Sequence, residues 1–366
     1  MSAPDVVAAF SQSYREARDR FLAAASSVKL EVEHHVHPTV RGAEGEELAC
    51  DIALLGDPAA PALVYLLSGT HGVEGFCGSG VQVALLLDPE FVAAVTQGRV
   101  AVLFHHAVNP YGFSHLRRNN EDNVDINRNF LNFDQDLRSN AAYAEVHDFI
   151  VPSTWPPSDQ NEARLHAYLA KHGVAGLQQA VSAGQSEFPQ GLFYAGVNPT
   201  WSNGVVRDVL RRHAAHRRLL AWIDLHTALG PRGYAEKIFA GPDDPAMRAR
   251  AGALWGADIT SFHDGSSTSA KLTGVNFAAV ADECPHVEAT GIALEYGTLP
   301  ISEVLQTLRA DQWLQNHGEA PTAVRAQIKK HLRDAFYCDA DDWKGMVWGQ
   351  ARTAVVQALR GMGSRA

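Results

Sequence analysis

A histidine and a glutamate stand three residues apart in the glycine-rich segment Gly69-Thr70-His71-Gly72-Val73-Glu74-Gly75. The segment follows the apolar run Leu63–Leu67, which is typical of a buried strand. In α/β proteins, ligand-binding and catalytic residues commonly lie at the carboxyl ends of such strands. We therefore predict that His71 and Glu74 converge on one divalent metal ion.

A second apolar run, Leu219–Ile223, leads into Asp224-Leu225-His226-Thr227 and supplies another histidine. His226 would complete a ligand set of two histidines and one glutamate, and catalytic zinc sites use three protein ligands with one open position. Mixed imidazole and carboxylate ligation predicts zinc as the ion. Asp224 would face the same side of the strand as His226, either to orient that ring or only to pack in a turn.

Two further segments carry groups that are not needed as ligands. Glu295 follows the apolar run Gly291–Leu294, and a spare carboxylate at a strand end predicts a general base. The segment Asn123–Phe130 contains Asn127 and Arg128. An amide beside a guanidinium fork suits the binding of a substrate carboxylate.

The order of these motifs resembles the zinc carboxypeptidase superfamily, over roughly Val32 to Thr298. Its most specific piece is Asp125-Ile126-Asn127-Arg128-Asn129-Phe130. Asn109–Phe113 followed by Arg117-Arg118 resembles a bacterial branch of carboxypeptidase-like proteins whose substrates are largely unassigned. The Asp224–Thr227 segment is also similar to the aspartoacylase and succinylglutamate desuccinylase group, which cleaves N-acyl amino acids.

The resemblance implies a role for each residue at the site. Glu295 would take a proton from water and return it to the leaving nitrogen. Arg118 would polarise the scissile carbonyl, although the adjacent Arg117 competes for this role. Asn127 and Arg128 would hold a terminal carboxylate.

The substrate is less well defined by the sequence. Digestive members of the superfamily have a tyrosine about twenty residues before the base, and here that region, Ser269–Gly274, has none. Three other tyrosines are candidates to replace it, and the sequence does not choose among them: Tyr194, Tyr234 and Tyr296. Lys271 and the pair Asp282-Glu283 should border the side-chain pocket, so both acidic and basic substrates fit this pattern.

Three functions remain open at this point. A zinc carboxypeptidase acting on small or unusual peptides is the first prediction. An N-acyl amino acid deacylase of the aspartoacylase kind is the second, because it needs the same catalytic groups. A metal-binding or ligand-binding protein without catalysis is the third, and the presence of Glu295 argues against it.

Composition narrows the class of partner. The chain has 366 residues, of which 46% are hydrophobic and 20% charged, as in ordinary globular proteins. Its 41 acidic and 31 basic residues give a net charge of -10, which disfavours nucleic acid and anionic membranes as partners. We see no secretory signal in residues 1–28 and no paired cysteine spacing, and therefore expect a cytoplasmic protein.

The elements predict a single α/β carboxypeptidase-like domain over residues 1–366, with a mixed, mostly parallel sheet covered by helices on both faces. We predict an N-terminal helix over 4–25, an insertion over 131–218 and C-terminal helices over 300–362. Those last helices either pack on the sheet or form a homo-oligomer contact. The predicted strands share apolar or alternating patterns: Lys29–Val36, Glu47–Leu55, Leu63–Leu67, Val100–His105, Leu219–Asp224, Lys237–Ala240 and Gly291–Glu295.

Overall fold

The strands that carry the predicted site lie side by side in the middle of one eight-stranded sheet. The structure, a computed structural model, describes residues 3–135 and 139–366. Its strands are β1 (Val32–Arg41), β2 (Glu47–Leu55), β3 (Ala62–Ser68), β4 (Val100–His106), β5 (Leu219–Arg232), β6 (Ala235–Phe239), β7 (Ile259–Thr260) and β8 (Glu288–Gly297). Their order across the sheet is β1-β2-β4-β3-β5-β8-β6-β7.

Strand directions confirm the predicted mixed sheet. The pairs β3–β4, β3–β5, β5–β8 and β6–β7 are parallel. The hairpin β1–β2 and the pairs β2–β4 and β6–β8 are antiparallel. The three central strands β3, β5 and β8 therefore end at the same edge of the sheet, which is where parallel strands bring their following residues together.

Helices pack on both faces of this sheet, as predicted. They are α1 (Ala3–Ala8), α2 (Tyr14–Ser27), α3 (Gly75–Leu86), α4 (Pro89–Thr96), α5 (Pro110–Ser114), α6 (Ala141–Ile150), α7 (Asp159–Ser182), α8 (Trp201–Val209), α9 (Pro245–Trp255), α10 (Ala278–Glu283), α11 (Ile301–Asn316), α12 (Thr322–Phe336) and α13 (Asp341–Gly363). Alternate β3 side chains enter two different cores: Val64 and Leu66 pack with α2, α3 and α13, whereas Tyr65 and Leu67 pack with α8 and α10.

The single N-terminal helix predicted over 4–25 is wrong, because α1 ends at Ala8 and α2 begins at Tyr14. Ser13 explains the break. Its side chain accepts a hydrogen bond from the Glu16 backbone N–H at 3.2 Å, while the Glu16 carboxylate accepts one from the Gln12 N–H. This capping arrangement starts a new helix within a charge pattern that looks continuous.

Strand β5 also differs from its prediction, because it continues beyond Asp224 to Arg232. Its partner β8 likewise extends to Gly297, so pairing continues through His226 and Thr227. The insertion predicted over 131–218 contains α6, α7 and α8, and α6 was not predicted. Residues 136–138 of that insertion, like residues 1 and 2, lie outside the described residues. The single-domain organisation stays a prediction.

Not one of the described helices is by itself long and apolar enough to cross a membrane. Gly72–Leu86 and Pro89–Thr96 meet the length and composition criteria only as a pair, and that pair is bent by 72°. The cytoplasmic location stays a prediction.

Candidate metal centre and active site

A tight turn after β3 presents the first two predicted ligands. His71 precedes a short 3₁₀ turn over Gly72–Glu74, and the following helix α3 starts at Gly75. Gly72 is required here, because a Cβ atom at this position would lie 2.0 Å from the Gly112 carbonyl carbon. The turn is held by two backbone bonds, from Gly72 N–H to the Arg118 carbonyl and from Val73 N–H to the Arg117 carbonyl.

His71, Glu74 and His226 come together as the sequence predicts. The Nδ1 atom of His71 lies 2.9 Å from Oε1 of Glu74, and Nδ1 of His226 lies 2.9 Å from Oε2 of the same carboxylate. The two Nδ1 atoms are 3.2 Å apart. All three side chains are buried, and their candidate ligand atoms lie within 4.8 Å of one another. One cation could replace these direct contacts.

The outward-facing nitrogens of both histidines meet carboxylates. Nε2 of His226 lies 2.9 Å from Asp224, and Nε2 of His71 lies 3.2 Å from Asp125. At His226, the Asp224 carboxylate holds the proton on Nε2 and leaves Nδ1 as the lone-pair donor, which is the usual arrangement of a metal-binding histidine. Nε2 of His71 also lies 2.7 Å from Nη2 of Arg118, so a carboxylate and a donor compete for this nitrogen. The donor set therefore fits a metal ion with two imidazole nitrogens and one carboxylate.

Charge balance at this cluster also favours a cation. Burial alone would raise the pKa of Glu74, but the adjacent His71 and His226 outweigh burial and hold it below its ordinary value. Burial would lower the pKa of His226, yet Asp224 and Glu74 raise it well above its ordinary value. Positive charge on the His226 ring therefore compensates the buried carboxylates. A divalent ion would supply that charge instead.

Glu295 lies on β8 directly opposite His226 of β5, on the same side of the sheet. Its Oε1 accepts a hydrogen bond from the Leu229 N–H at 2.9 Å, and no described residue hydrogen-bonds to Oε2. Burial, followed by the negative charge of Glu74, raises the pKa of Glu295 to about 7. A carboxylate with one fixed and one free oxygen and a raised pKa can accept a proton near neutral pH.

The structure separates the two adjacent arginines. Arg118 lines the cleft and donates to Asp125 at 3.1 Å and to Glu74 at 3.2 Å. Arg117 is buried outside the cleft, where it donates to Asp311 at 3.1 Å and to Asn123 at 2.9 Å. Of these two adjacent arginines, only Arg118 can therefore reach a carbonyl group bound in the cleft.

Asn127 and Arg128 both line the cleft and both retain unused donors. Arg128 donates through Nε to the Ser182 carbonyl and through Nη1 to the Asn127 carbonyl, each at 2.8 Å. Asn127 accepts from the Asn276 N–H at 2.9 Å. No described residue accepts from Nη2 of Arg128 or Nδ2 of Asn127. Burial lowers the pKa of Arg128 to about 10, and Asp125 opposes that shift, so the guanidinium stays charged.

Four residues at the site were not assigned a role from the sequence. Asp125 belongs to the segment Asp125–Phe130, the most specific motif of the sequence, and its place in that motif could have indicated a role at the site. Asn276 donates its side-chain N–H to Asp224 at 2.6 Å and its backbone N–H to Asn127. It therefore links the carboxylate that contacts His226 to the residue beside Arg128. Thr70 donates to Asp224 at 2.9 Å. Phe193 places its ring 4.9 Å from the Arg118 guanidinium and 5.4 Å from that of Arg128.

The cleft is mainly apolar beyond these residues. Its empty volume, including the part open to solvent, is about 1400 Å³. Among described residues, the titratable side chains that line it are all close to the metal cluster, the base or the arginines: His71, Glu74, Arg118, Arg128, Asp224, His226 and Glu295. A charged part of a substrate therefore has only these groups to pair with.

The residues suggested for a charged side-chain pocket lie elsewhere. The backbone of Lys271 pairs with Gln179, and its side chain is not part of the cleft. Asp282 and Glu283 form ion pairs with Arg207 on α8. The expectation of an acidic or basic pocket built on these residues is therefore wrong, because Lys271 is exposed outside the cleft lining and the charges of Asp282 and Glu283 pair with Arg207.

The suggested replacements for the missing tyrosine also lie outside the cleft lining. Tyr194 is buried beside the Asn123–Phe130 segment, where its carbonyl accepts from Asp125 N–H. Tyr234 is 46% exposed, and Tyr296 donates its hydroxyl to the Val347 carbonyl within the core. Within the described chain, no tyrosine occupies the position of that pocket residue.

Replacing Asp224 with asparagine is expected to weaken metal binding by about 10- to 100-fold, because it removes the negative charge that orients His226. Competition titration of zinc against a chelator measures this. Asp51→Asn is the matched control, since Asp51 pairs with His34 at 2.6 Å outside the cleft. Equal zinc affinity of the Asp224 variant and the wild type would contradict an orienting role for Asp224.

Comparisons with known proteins give one family match and several similar solved structures. The model of a family described as "Protein of unknown function (DUF2817)" matches residues 10–350. No curated protein matches the sequence. Three solved structures are similar to this chain at low sequence identity.

Thrombin activatable fibrinolysis inhibitor has 14% identity and a TM-score of 0.47, with coverage of 86% of this chain and 77% of that one. A metallo-carboxypeptidase from Burkholderia cenocepacia has 11% identity and a TM-score of 0.41, covering 95% and 69%. Murein-tripeptide amidase from Escherichia coli O157 has 15% identity and a TM-score of 0.32, covering 80% and 93%. The residues of the site therefore have to carry the functional conclusion.

Proposed function

Because this chain belongs to the family described as protein of unknown function (DUF2817), we propose its activity from the site itself: a zinc-dependent hydrolase of amide bonds next to a free carboxylate. One observation carries the proposal. A three-residue metal cluster, a buried carboxylate with a free oxygen and two cleft-lining groups with free donors meet in one cleft. We further propose that the enzyme acts in the cytoplasm on small peptides or N-acyl amino acids.

The metal ligands in this proposal are Nδ1 of His71, Nδ1 of His226 and the Glu74 carboxylate. A zinc ion held there would supply Lewis-acid polarisation and a lowered pKa for water. Asp125 and Asp224 hold the two imidazole rings in the required orientation.

The remaining residues position substrate and move protons. Glu295 accepts a proton from the attacking water and returns it to the leaving nitrogen. Arg118 donates hydrogen bonds to the carbonyl oxygen as negative charge develops on it. The carbon–nitrogen bond breaks, the acyl carbon gains the water oxygen, and the nitrogen leaves as a free amine.

Arg128 and Asn127 bind the carboxylate end of the substrate in this proposal. The free Nη2 of Arg128 and the free Nδ2 of Asn127 can both donate to one carboxylate on the leaving residue. The side chain of that residue would face the 262–276 segment and β6, because Asn276 of this segment directly contacts Asn127. Most cleft residues there are apolar, with Ser269 and Asn276 as the polar ones: Ile238, Phe239, Ala240, Phe262, Ala270, Leu272, Val275 and Ala293. We therefore propose leucine-like or phenylalanine-like leaving residues.

The carboxylate requirement gives a direct test. Blocked dipeptides ending in free leucine are expected to be cut about 10- to 100-fold faster, in kcat/KM, than the same dipeptides ending in leucinamide. The reason is that charge-assisted hydrogen bonds contribute about 1.5–3 kcal/mol each. Chromatographic measurement of released leucine and leucinamide gives both rates.

Arg128→Ala should erase most of this preference, whereas Arg128→Lys should keep part of it because a positive charge remains. Arg207→Ala is the control, since Arg207 pairs with Asp282 and Glu283 outside the cleft. If the wild-type enzyme cut the acid and the amide equally well, the carboxylate clamp would be refuted.

A further inference from the structure

The cleft continues beyond the catalytic groups along an apolar surface that the proposed chemistry does not use. We call this surface the acyl wall and define it by six cleft-lining residues of α7 and α11: Leu169, Val174, Ile301, Val304, Leu305 and Leu308. Most of them pack in one cluster with Phe193 and Phe336, which also line the cleft. The acyl wall is therefore continuous with the catalytic site.

The direction of the substrate follows from the two ends of the cleft. The 262–276 segment lies beside the clamp, where Asn276 N–H donates to Asn127 at 2.9 Å. Helix α11 begins four residues after β8 ends, beside the residues that follow His226, because Thr298 donates to the Ala228 carbonyl at 3.4 Å. With the carboxylate on the clamp and the amide at the metal cluster, the acyl part extends toward α11.

Helix α7 gives the length of this part of the cleft. Its residue Ser182 accepts a hydrogen bond from Arg128, and Val174 lies eight residues earlier on the same helix. At 1.5 Å per residue, Val174 is about 12 Å from the clamp end. A substrate with seven bonds of about 1.5 Å, counted from its carboxyl carbon at the clamp, spans at most about 11 Å, and about three of these bonds come before the acyl carbon. An acyl chain with about four further bonds therefore reaches Val174.

The chemistry of the acyl wall excludes charged acyl groups. No described cleft residue outside the catalytic cluster, the base and the two arginines is titratable. A succinyl group would need a further cation, and the free amine of a dipeptide would need a carboxylate. The polar cleft residues that the structure describes beside the acyl wall, Gln178 and Ser302, are both uncharged. Two of its residues, Val174 and Ile301, are apolar and yet 57% and 37% exposed. Exposed apolar side chains at the rim of a cleft mark a binding surface.

We infer that the enzyme takes N-acyl amino acids whose acyl group is an uncharged apolar chain of about five carbons or more, which lies on the acyl wall. The inference rests on the proposed function for its cleavage step and on the cleft alone for its binding step. A fatty-acyl group and an apolar blocked peptide share this chemistry. Experiments with both kinds of compound distinguish them.

The first experiment measures binding to the Glu295→Gln variant loaded with zinc, by calorimetry with N-acetyl-, N-hexanoyl-, N-octanoyl- and N-succinyl-leucine. Each buried methylene group contributes about fourfold in affinity. Because the cleft is partly open, we expect N-octanoyl-leucine to bind at least about 100-fold more tightly than N-acetyl-leucine. N-succinyl-leucine should bind no better than N-acetyl-leucine. Equal affinities along the series would overturn the inference.

Two variants at the rim of the cleft test where the acyl chain binds. Val174→Asp and Ile301→Asp change exposed positions, so both proteins should fold, and each should lower the octanoyl-to-acetyl affinity ratio at least about tenfold because a carboxylate opposes the apolar chain. Val197→Asp is the matched control, since Val197 is 45% exposed and lies outside the cleft lining. An unchanged ratio in both rim variants would place the chain elsewhere and refute the acyl wall.

The second experiment measures hydrolysis by wild-type enzyme of N-octanoyl-leucine and of acetyl-phenylalanyl-leucine. Faster cleavage of the octanoyl compound supports a fatty-acyl substrate, and faster cleavage of the blocked dipeptide refutes that assignment in favour of a peptide. Tight, chain-length-dependent binding without any hydrolysis would instead refute the proposed function and leave the acyl wall intact. The two failures are therefore distinguishable.

Discussion

Replacing Glu295 with glutamine is expected to lower kcat at least about 100-fold while the protein still binds zinc. Glutamine keeps the shape of the side chain and can still accept the Leu229 hydrogen bond, but it cannot take a proton from water. Steady-state kinetics on a blocked dipeptide, together with elemental analysis of the same preparation, measures both quantities. Glu288→Gln, on the same strand and outside the cleft, is the control.

The pH dependence of kcat/KM should also reflect the ionisation of Glu295. Burial and the charge of Glu74 raise the pKa of Glu295 to about 7, and a bound cation would offset part of the Glu74 charge. The base works when it is ionised, so kcat/KM should fall as pH decreases through that pKa, at or below about 7. Activity within a few-fold of wild type in Glu295→Gln would mean that another residue is the base.

The double variant His71→Ala, His226→Ala is expected to contain no stoichiometric zinc and to have no measurable turnover. Removing both imidazoles leaves Glu74 as the only one of the three proposed ligands, and one carboxylate does not hold zinc tightly. Elemental analysis after dialysis against a weak chelator is the measurement. Wild-type protein treated in the same way should retain its zinc.

Another pair of histidines provides a matched control for this experiment. His34 and His37 lie on β1, where they contact Asp51 and Glu121 outside the cleft. His34→Ala, His37→Ala should therefore keep its zinc. Full zinc retention in the His71, His226 variant, or the absence of any transition metal from the wild type, would rule out the proposed metal site.

Much of the candidate site could be predicted from local patterns. Apolar runs fixed the positions of β3, β5 and β8, and parallel strands that end at one edge bring His71, His226 and Glu295 together. The two-residue period of a strand placed Asp224 on the same side as His226, and the 2.9 Å contact between them follows from this.

Long-range contacts explain what could not be predicted. Nothing local in Arg117-Arg118 shows that Asp311, almost two hundred residues later, binds the first arginine and leaves the second for the cleft. The same holds for Asn276, whose partners Asp224 and Asn127 lie on other elements. Lys271 and Glu283 could be placed near the site by sequence distance, but only the fold shows which partners use their polar groups.

The ion pair of Arg117 with Asp311 connects the loop that carries Arg118 to the helix that forms the acyl wall. Asp311 lies on α11, and Lys329 of α12 binds both Asp311 at 2.6 Å and the Leu116 carbonyl at 3.2 Å. These bonds connect α11, α12 and the loop that carries Arg118 in one network. In the proposed enzyme, the acyl wall and the Arg118 guanidinium would therefore be held by the same set of ion pairs. Such a network would preorganise the site, so that an acyl chain on the acyl wall would place its carbonyl near Arg118.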